Sequence, residues 1–88
     1  MISEYEIVMV AQRVSRAVHA PTFEDLAVYL LITVGHFPMA EVARRFGLPA
    51  PAECLATLNR VSVAYITNEP RCVRDVVDKA RLALMVQA

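Results

Sequence analysis

The chain has 88 residues, 57% of them apolar and only 20% charged, which suits one ordinary domain with ample core material and excludes a disordered tail. Nine cations balance nine carboxylates, so little long-range field draws the chain toward a polyanion, and strand-type alternation is too scarce for a β architecture. The charges are segregated: residues 1–43 hold two arginines against five carboxylates, residues 44–88 seven cations against four.

Five helices are expected, in one helical domain over 1–88. The first runs from about Ser3 to Val18, with Ser3 as N-cap and Glu4 and Glu6 favourable in the first turn. Its stripe Ile7, Ala11, Val14, Val18 follows one helix face, with Arg13 and Arg16 off it. His19-Ala20-Pro21 is the expected stop, because a residue preceding proline disfavours helical geometry. Thr22 caps the second helix, and Asp25 completes a capping-box-like pair. Ala27 to Ile32 is apolar nearly all round, which predicts the central helix on which every other packs, ending with Gly35 left-handed.

Pro38 opens a short third helix with Met39, Val42, Ala43 and Phe46 inward and Glu41, Arg44 and Arg45 outward. Gly47 stops it. After the brief connection Leu48-Pro49-Ala50, Pro51 opens a fourth helix whose expected inner stripe is Leu55, Leu58, Val61 and Tyr65. Asn68 caps the last helix, which starts near Glu69-Pro70 with stripe Val73, Val76, Val77, Ala80, Leu84 and with Arg71, Arg74, Asp78 and Arg81 outside. Two helices joined by a tight turn after a glycine, backed by a core helix, form a helix-turn-helix pattern over about 38–61.

Little here supports catalysis. His19 and His36 fall at helix ends with no nucleophile or second ligand at useful spacing, and no phosphate-binding Gly-x-x-x-x-Gly-Lys loop occurs. Cys54 and Cys72 lack a metal-ligand pattern and read as small buried hydrophobes. Leu26–Val34 is far short of the roughly 20 residues of a membrane span. The expectation is a cytoplasmic protein with free thiols, no cofactor, no metal, no membrane contact, no small-molecule substrate and no enzymatic activity.

The stretch Ala27-Val28-Tyr29-Leu30 followed by Pro38-Met39-Ala40-Glu41-Val42-Ala43-Arg44-Arg45-Phe46-Gly47 resembles the C-terminal DNA-binding domain of the bacterial replication initiator DnaA. That family shows an Ala-Met-Tyr-Leu core helix and then Ser-Leu-x-Glu-Ile-Gly-x-x-Phe-Gly, with Glu41, Phe46 and Gly47 in register. Asn68-Glu69-Pro70-Arg71 resembles the family's connection to its last helix, so the resemblance covers about residues 22–85. It implies a Trp-repressor-like helix-turn-helix fold, duplex DNA as partner, and a role in chromosome replication or its regulation.

The reading head departs from that family. Its Gly-Gly-Arg-Asp-His-Thr-Thr run opens the recognition helix; here the positions read Gly47, Leu48, Pro49, Ala50, Pro51, Ala52, Glu53. Bases and phosphates are held by donors, acceptors and cations, which Pro49 to Ala52 do not offer, and two prolines also remove amides from the helix start. The candidate duplex contacts are Arg44 and Arg45 before the turn and Ala52, Glu53, Thr57 and Arg60 after it. Against them stand a solvated face with Glu41 pairing Arg44 or Arg45, and an ordinary helix pair for Glu53 and Thr57. The second class is a protein-interaction module that kept the fold and presents Leu48–Ala52 as an apolar patch. Homodimerisation through the first or last helix is compatible with either. A continuous positive stripe joining Arg44, Arg45 and Arg60 favours DNA; interruption by Glu24, Asp25 or Glu53 argues against it.

Overall fold

The computed structural model describes residues 2–16 and 18–87. They form five α-helices, α1 Glu4–Ser15, α2 Phe23–Thr33, α3 Met39–Arg45, α4 Ala52–Thr67 and α5 Val73–Gln87, with no strand among the described residues. The radius of gyration is 11.9 Å. No described helix is long and apolar enough to cross a membrane.

The core grows around α2, where Leu26 to Leu31 are six consecutive buried residues. A helix buried on every side needs neighbours on every side, and α1, α3 and α4 supply three of them. The expectation that every helix packs on α2 needs one correction. The last helix lies mainly against α1 and α4 and reaches α2 through Arg81, which donates to the Tyr29 hydroxyl. Val73, Val76, Val77, Ala80 and Leu84 are all buried, as their spacing predicts. Each large side chain so buried contributes about 1.5–3 kcal/mol of hydrophobic stabilisation.

Both expected N-caps form, whereas the ends of α1 and α2 differ from expectation. Ser3 Oγ accepts from the Glu6 amide at 3.2 Å and Thr22 Oγ1 from the Asp25 amide at 3.2 Å. The first helix ends at Ser15 rather than Val18; Ala17 lies outside the described residues. Val18 still packs against the core from its position beyond the helix. At the end of α2 the left-handed residue is His36, φ 57°, and not Gly35. Space is what Gly35 provides: a Cβ there would lie 2.7 Å from both Ile7 Cδ1 and the Phe37 ring.

Gly47 does take the left-handed conformation, φ 66°, and its neighbours close α3 tightly. The Leu48 amide donates to the Ala43 carbonyl at 2.8 Å and the Gly47 amide to Arg44 at 3.3 Å, the paired bonds of a Schellman motif. Phe46 then meets Phe23 of α2 with ring centroids 6.5 Å apart and tilted by 54°, which fixes the α3–α4 turn against the core. Asn68 is the left-handed end of α4, φ 54°, rather than the N-cap of the next helix, and α5 starts at Val73 rather than near Glu69-Pro70. Its side-chain oxygen nevertheless accepts from the Arg74 amide at 3.4 Å, so one residue closes α4 and holds the start of α5.

Candidate interaction surface on α3 and α4

The inner face of α4 is set by Cys54, Thr57 and Val61, all buried, with Leu58, Ala64 and Tyr65 packed beside them. Leu55, expected inward, is 55% exposed. Val61, Leu58 and Tyr65 do face the core as expected; in place of Leu55 it is Cys54 that turns inward at the start of the helix, where its thiol donates to the Met39 carbonyl at 3.5 Å. The signal for this was present: cysteine is among the most buried residue types, and 54, 57, 61, 64 is as good a helical series as 55, 58, 61, 65. Burial pushes the Cys54 thiol pKa up.

With Leu55 turned out, the outer face of α4 is uncharged along its length. Ala52, Leu55, Ala56, Asn59, Val63 and Ile66 occupy the outer face, with Leu55, Val63 and Ile66 55%, 51% and 73% exposed. None of the six carries a charge. Exposed leucines scattered singly need no explanation, but three large apolar side chains aligned on one helix do.

The six candidate contact residues do not form one surface. Arg44 and Arg45 are exposed on α3, and Ala52 and Glu53 on the first turn of α4. Thr57 is 5% exposed, faces inward, and accepts from Arg60 Nη2 at 3.2 Å; burial removes it from any contact with a partner. Arg45 binds Glu4 of α1 at 2.7 Å and Glu41 at 3.7 Å. Arg60 grips Asp25 with two hydrogen bonds of 2.9 Å, Nε to Oδ2 and Nη2 to Oδ1. Those bonds, then the charge of Asp25, raise the Arg60 pKa further above its ordinary value. Asp25 therefore serves as the partner of Arg60, which accounts for its carboxylate where a capping role was expected. Carboxylates interrupt the positive stripe at two of its three members.

Arg44 differs, having no carboxylate within 4.0 Å among the described residues. The start of α4 offers little to a phosphate, since the Glu53 amide donates to Ala50 at 3.0 Å and the Cys54 amide to Pro51 at 2.9 Å. Two further arginines of the basic half are also occupied. Arg74 donates to the Tyr65 and Ile66 carbonyls at 3.0 and 2.8 Å and lies over the Tyr65 ring at 5.6 Å. Arg81 lies over the Tyr29 and Tyr65 rings at 5.5 and 5.8 Å. The Tyr65 hydroxyl in turn donates to Asp78 at 2.7 Å, and that bond raises its pKa.

An open cavity of about 410 Å³ lies beside the C-terminal half of α4, between Ala20-Pro21, Val63, Thr67, Pro70 and Val73. Its wall is mainly apolar, with the Asp25–Arg60 pair at one side. His19 and His36 are exposed and lie outside it. No family model, curated protein or solved structure matches this chain.

Proposed function

We propose that this chain is a protein-interaction module on a helix-turn-helix scaffold similar to the initiator's DNA-binding domain, with the outer face of α4 as its contact surface. The observation that carries the reading is the α4 face itself: Leu55, Val63 and Ile66 are exposed in line, uncharged, where a duplex reader needs donors, acceptors and cations. Arg60, the cation nearest that face in sequence, is committed to Asp25. The reading places the protein in a reducing, cytoplasmic setting, where both of its free thiols persist, and assigns it no catalytic role.

The test is site-specific photo-crosslinking in the native cell, with the crosslinker at Leu55 or Val63 and a control at Arg13. Protein adducts at the two α4 positions and none at the control support the reading. Absence of protein adducts at α4 overturns it.

Duplex binding is the second reading, favoured by Arg44, exposed and without an ion-pair partner among the described residues on the helix before the turn. It would give the chain a part in replication or its regulation. It requires a mobility shift with random duplex that weakens steeply with salt and is abolished by Arg44→Ala with Arg45→Ala.

A further inference from the structure

We infer that the cavity of about 410 Å³ beside α4 is a small-molecule site, and that it takes a neutral, mainly apolar compound with a carboxamide-like head. This goes beyond the reading of the outer α4 face as a protein-contact surface and does not depend on it.

Short side chains make the cavity. Pro21, Val61 and Val73, all buried, line its depth, and Ala20, Val63 and Ala64 complete the apolar wall. None of them can swing across the space, since valine is stiff at χ1 and alanine and proline have no rotamers to change. Polar contacts fix the walls on both sides. Asp25 and Arg60 bridge α2 to α4 with two bonds of 2.9 Å. The Cys72 thiol donates to the Ala20 carbonyl at 3.3 Å, which ties the connection before α5 to the connection before α2. The site is therefore formed before anything enters it, and a ligand is spared the cost of ordering its walls.

Dimensions and wall chemistry set the body of the ligand. From Arg60 to Thr67 the α4 wall runs about 10 Å, and the space matches the liquid volume of about fourteen waters. Each water needs two to four polar partners, which a wall of valine, alanine and proline does not offer, so an apolar body displaces water favourably. One aromatic ring with a short alkyl chain fits those dimensions.

The head is set by what the Asp25–Arg60 pair leaves uncommitted. Arg60 Nε and Nη2 donate to Asp25, and Nη2 also to Thr57, while Nη1 has no protein partner among the described residues. Each Asp25 oxygen accepts one of these bonds and keeps a further lone pair. Both threonines of the wall are engaged by backbone: Thr22 Oγ1 accepts from the Asp25 amide, and Thr67 Oγ1 donates to the Val63 carbonyl at 2.9 Å. The pair thus presents donors beside acceptors at no net charge, the complement of a group with one C=O and one N–H. An anionic head would approach Arg60 only beside the Asp25 carboxylate, with Glu69 on the same wall. A cationic head would meet the guanidinium, and Glu69 is exposed, where an ion pair is worth little.

Three probes with one body separate these cases: 4-butylbenzamide, 4-butylbenzoate and 4-butylbenzylamine, titrated into the methyl-labelled full chain and followed by NMR. The benzamide should bind with a dissociation constant of about 0.05–1 mM. It should bind at least about tenfold tighter than either charged probe, and it should shift the methyls of Val61 and Val73 ahead of those of Leu55 and Ile66. Ala64→Leu fills the cavity and should weaken binding at least about tenfold, with helicity by circular dichroism unchanged. Asp25→Asn leaves Arg60 cationic without its carboxylate, so the preference should pass to the benzoate; a purely structural role for the pair would weaken all three probes alike.

No saturable binding of the benzamide, or shifts centred on Leu55 and Ile66, overturns the site, as does binding indifferent to Ala64→Leu. Equal affinity for the three probes, or tighter binding of a charged one by the unaltered chain, overturns the neutral head. An Asp25→Asn chain that keeps the original order of probes overturns the part given to the ion pair. Photo-crosslinking at Leu55 is untouched by any of these results, so the two readings stand or fall separately.

Discussion

Asp25 and Arg60, thirty-five residues apart in sequence, meet through two parallel hydrogen bonds of 2.9 Å across the junction of α2 and α4. The pair ties the core helix to the helix after the turn and neutralises a cation at the edge of the candidate surface. Asp25→Ala should free that cation. Binding to random duplex at low salt should then increase several-fold, while unfolding in urea should show only about 0.5–1 kcal/mol lost, as for an exposed ion pair. Unchanged duplex binding would mean that Arg60 does not face a polyanion even when released.

The two glycines should fail for different reasons. Gly35→Ala drives a methyl to 2.7 Å from Ile7 Cδ1 and the Phe37 ring, an overpacking cost of about 1–3 kcal/mol. Combining it with Ile7→Val, which removes one clashing carbon, should cost less than the sum of the two single changes. Gly47→Ala meets nothing within 4 Å but sits at φ 66°, so about 1–2 kcal/mol of backbone strain is expected and no second-site change in the core should relieve it. Denaturant midpoints of the four variants decide this.

Alkaline titration should single out Tyr65. Its hydrogen bond to Asp78 raises the phenol pKa in the folded chain, so the neutral form is the one the fold favours. The associated stability is present in full below the unfolded phenol value, about 10, and is lost as pH rises through the higher folded value. Asp78→Asn should bring the Tyr65 midpoint down, since Arg81 and Arg74 then act on the phenolate without the opposing carboxylate. Ultraviolet difference titration against Tyr65→Phe reads it, and a midpoint indifferent to Asp78 would refute the assignment.

The thiols should separate in rate. Cys54 is fully buried, with its pKa raised by burial, whereas Cys72 is partly exposed. A thiol reagent followed by mass spectrometry should label Cys72 first in native buffer and Cys54 only as urea unfolds the chain. Equal rates would mean that the α3–α4 turn opens locally.

The helices were legible in the sequence wherever one signal dominated. Ser3 and Thr22 announced their caps, Gly47 its turn, and the valines of α5 their face. The sequence failed where two signals competed. Leu55 and Cys54 were rival inward residues on adjacent positions, and hydrophobicity alone favours the leucine; the turn geometry that admits the thiol under Met39 is tertiary. Gly35 carried two possible meanings, rotation and room, and only the position of Ile7 chooses between them. The candidate contacts suffered most. The pairing of Arg45 with Glu41 is legible at four residues' spacing and is present at 3.7 Å, but its shorter bond to Glu4, the Asp25 partner of Arg60 and the inward turn of Thr57 come from other elements or from packing and are not.

The bare outer face of α4 on a chain with no net charge has one further consequence, for how the protein answers to its solvent. Apolar association strengthens as kosmotropic salt is added, whereas a complex with duplex loses counterion-release free energy and falls apart. With a sequence pI near 6.7, charge repulsion provides little colloidal protection at neutral pH. Sulfate should therefore push copies together under the conditions that would strip them from nucleic acid. The sign of a salt dependence, available from a turbidity curve before any partner is identified, separates the two ways this surface can be used.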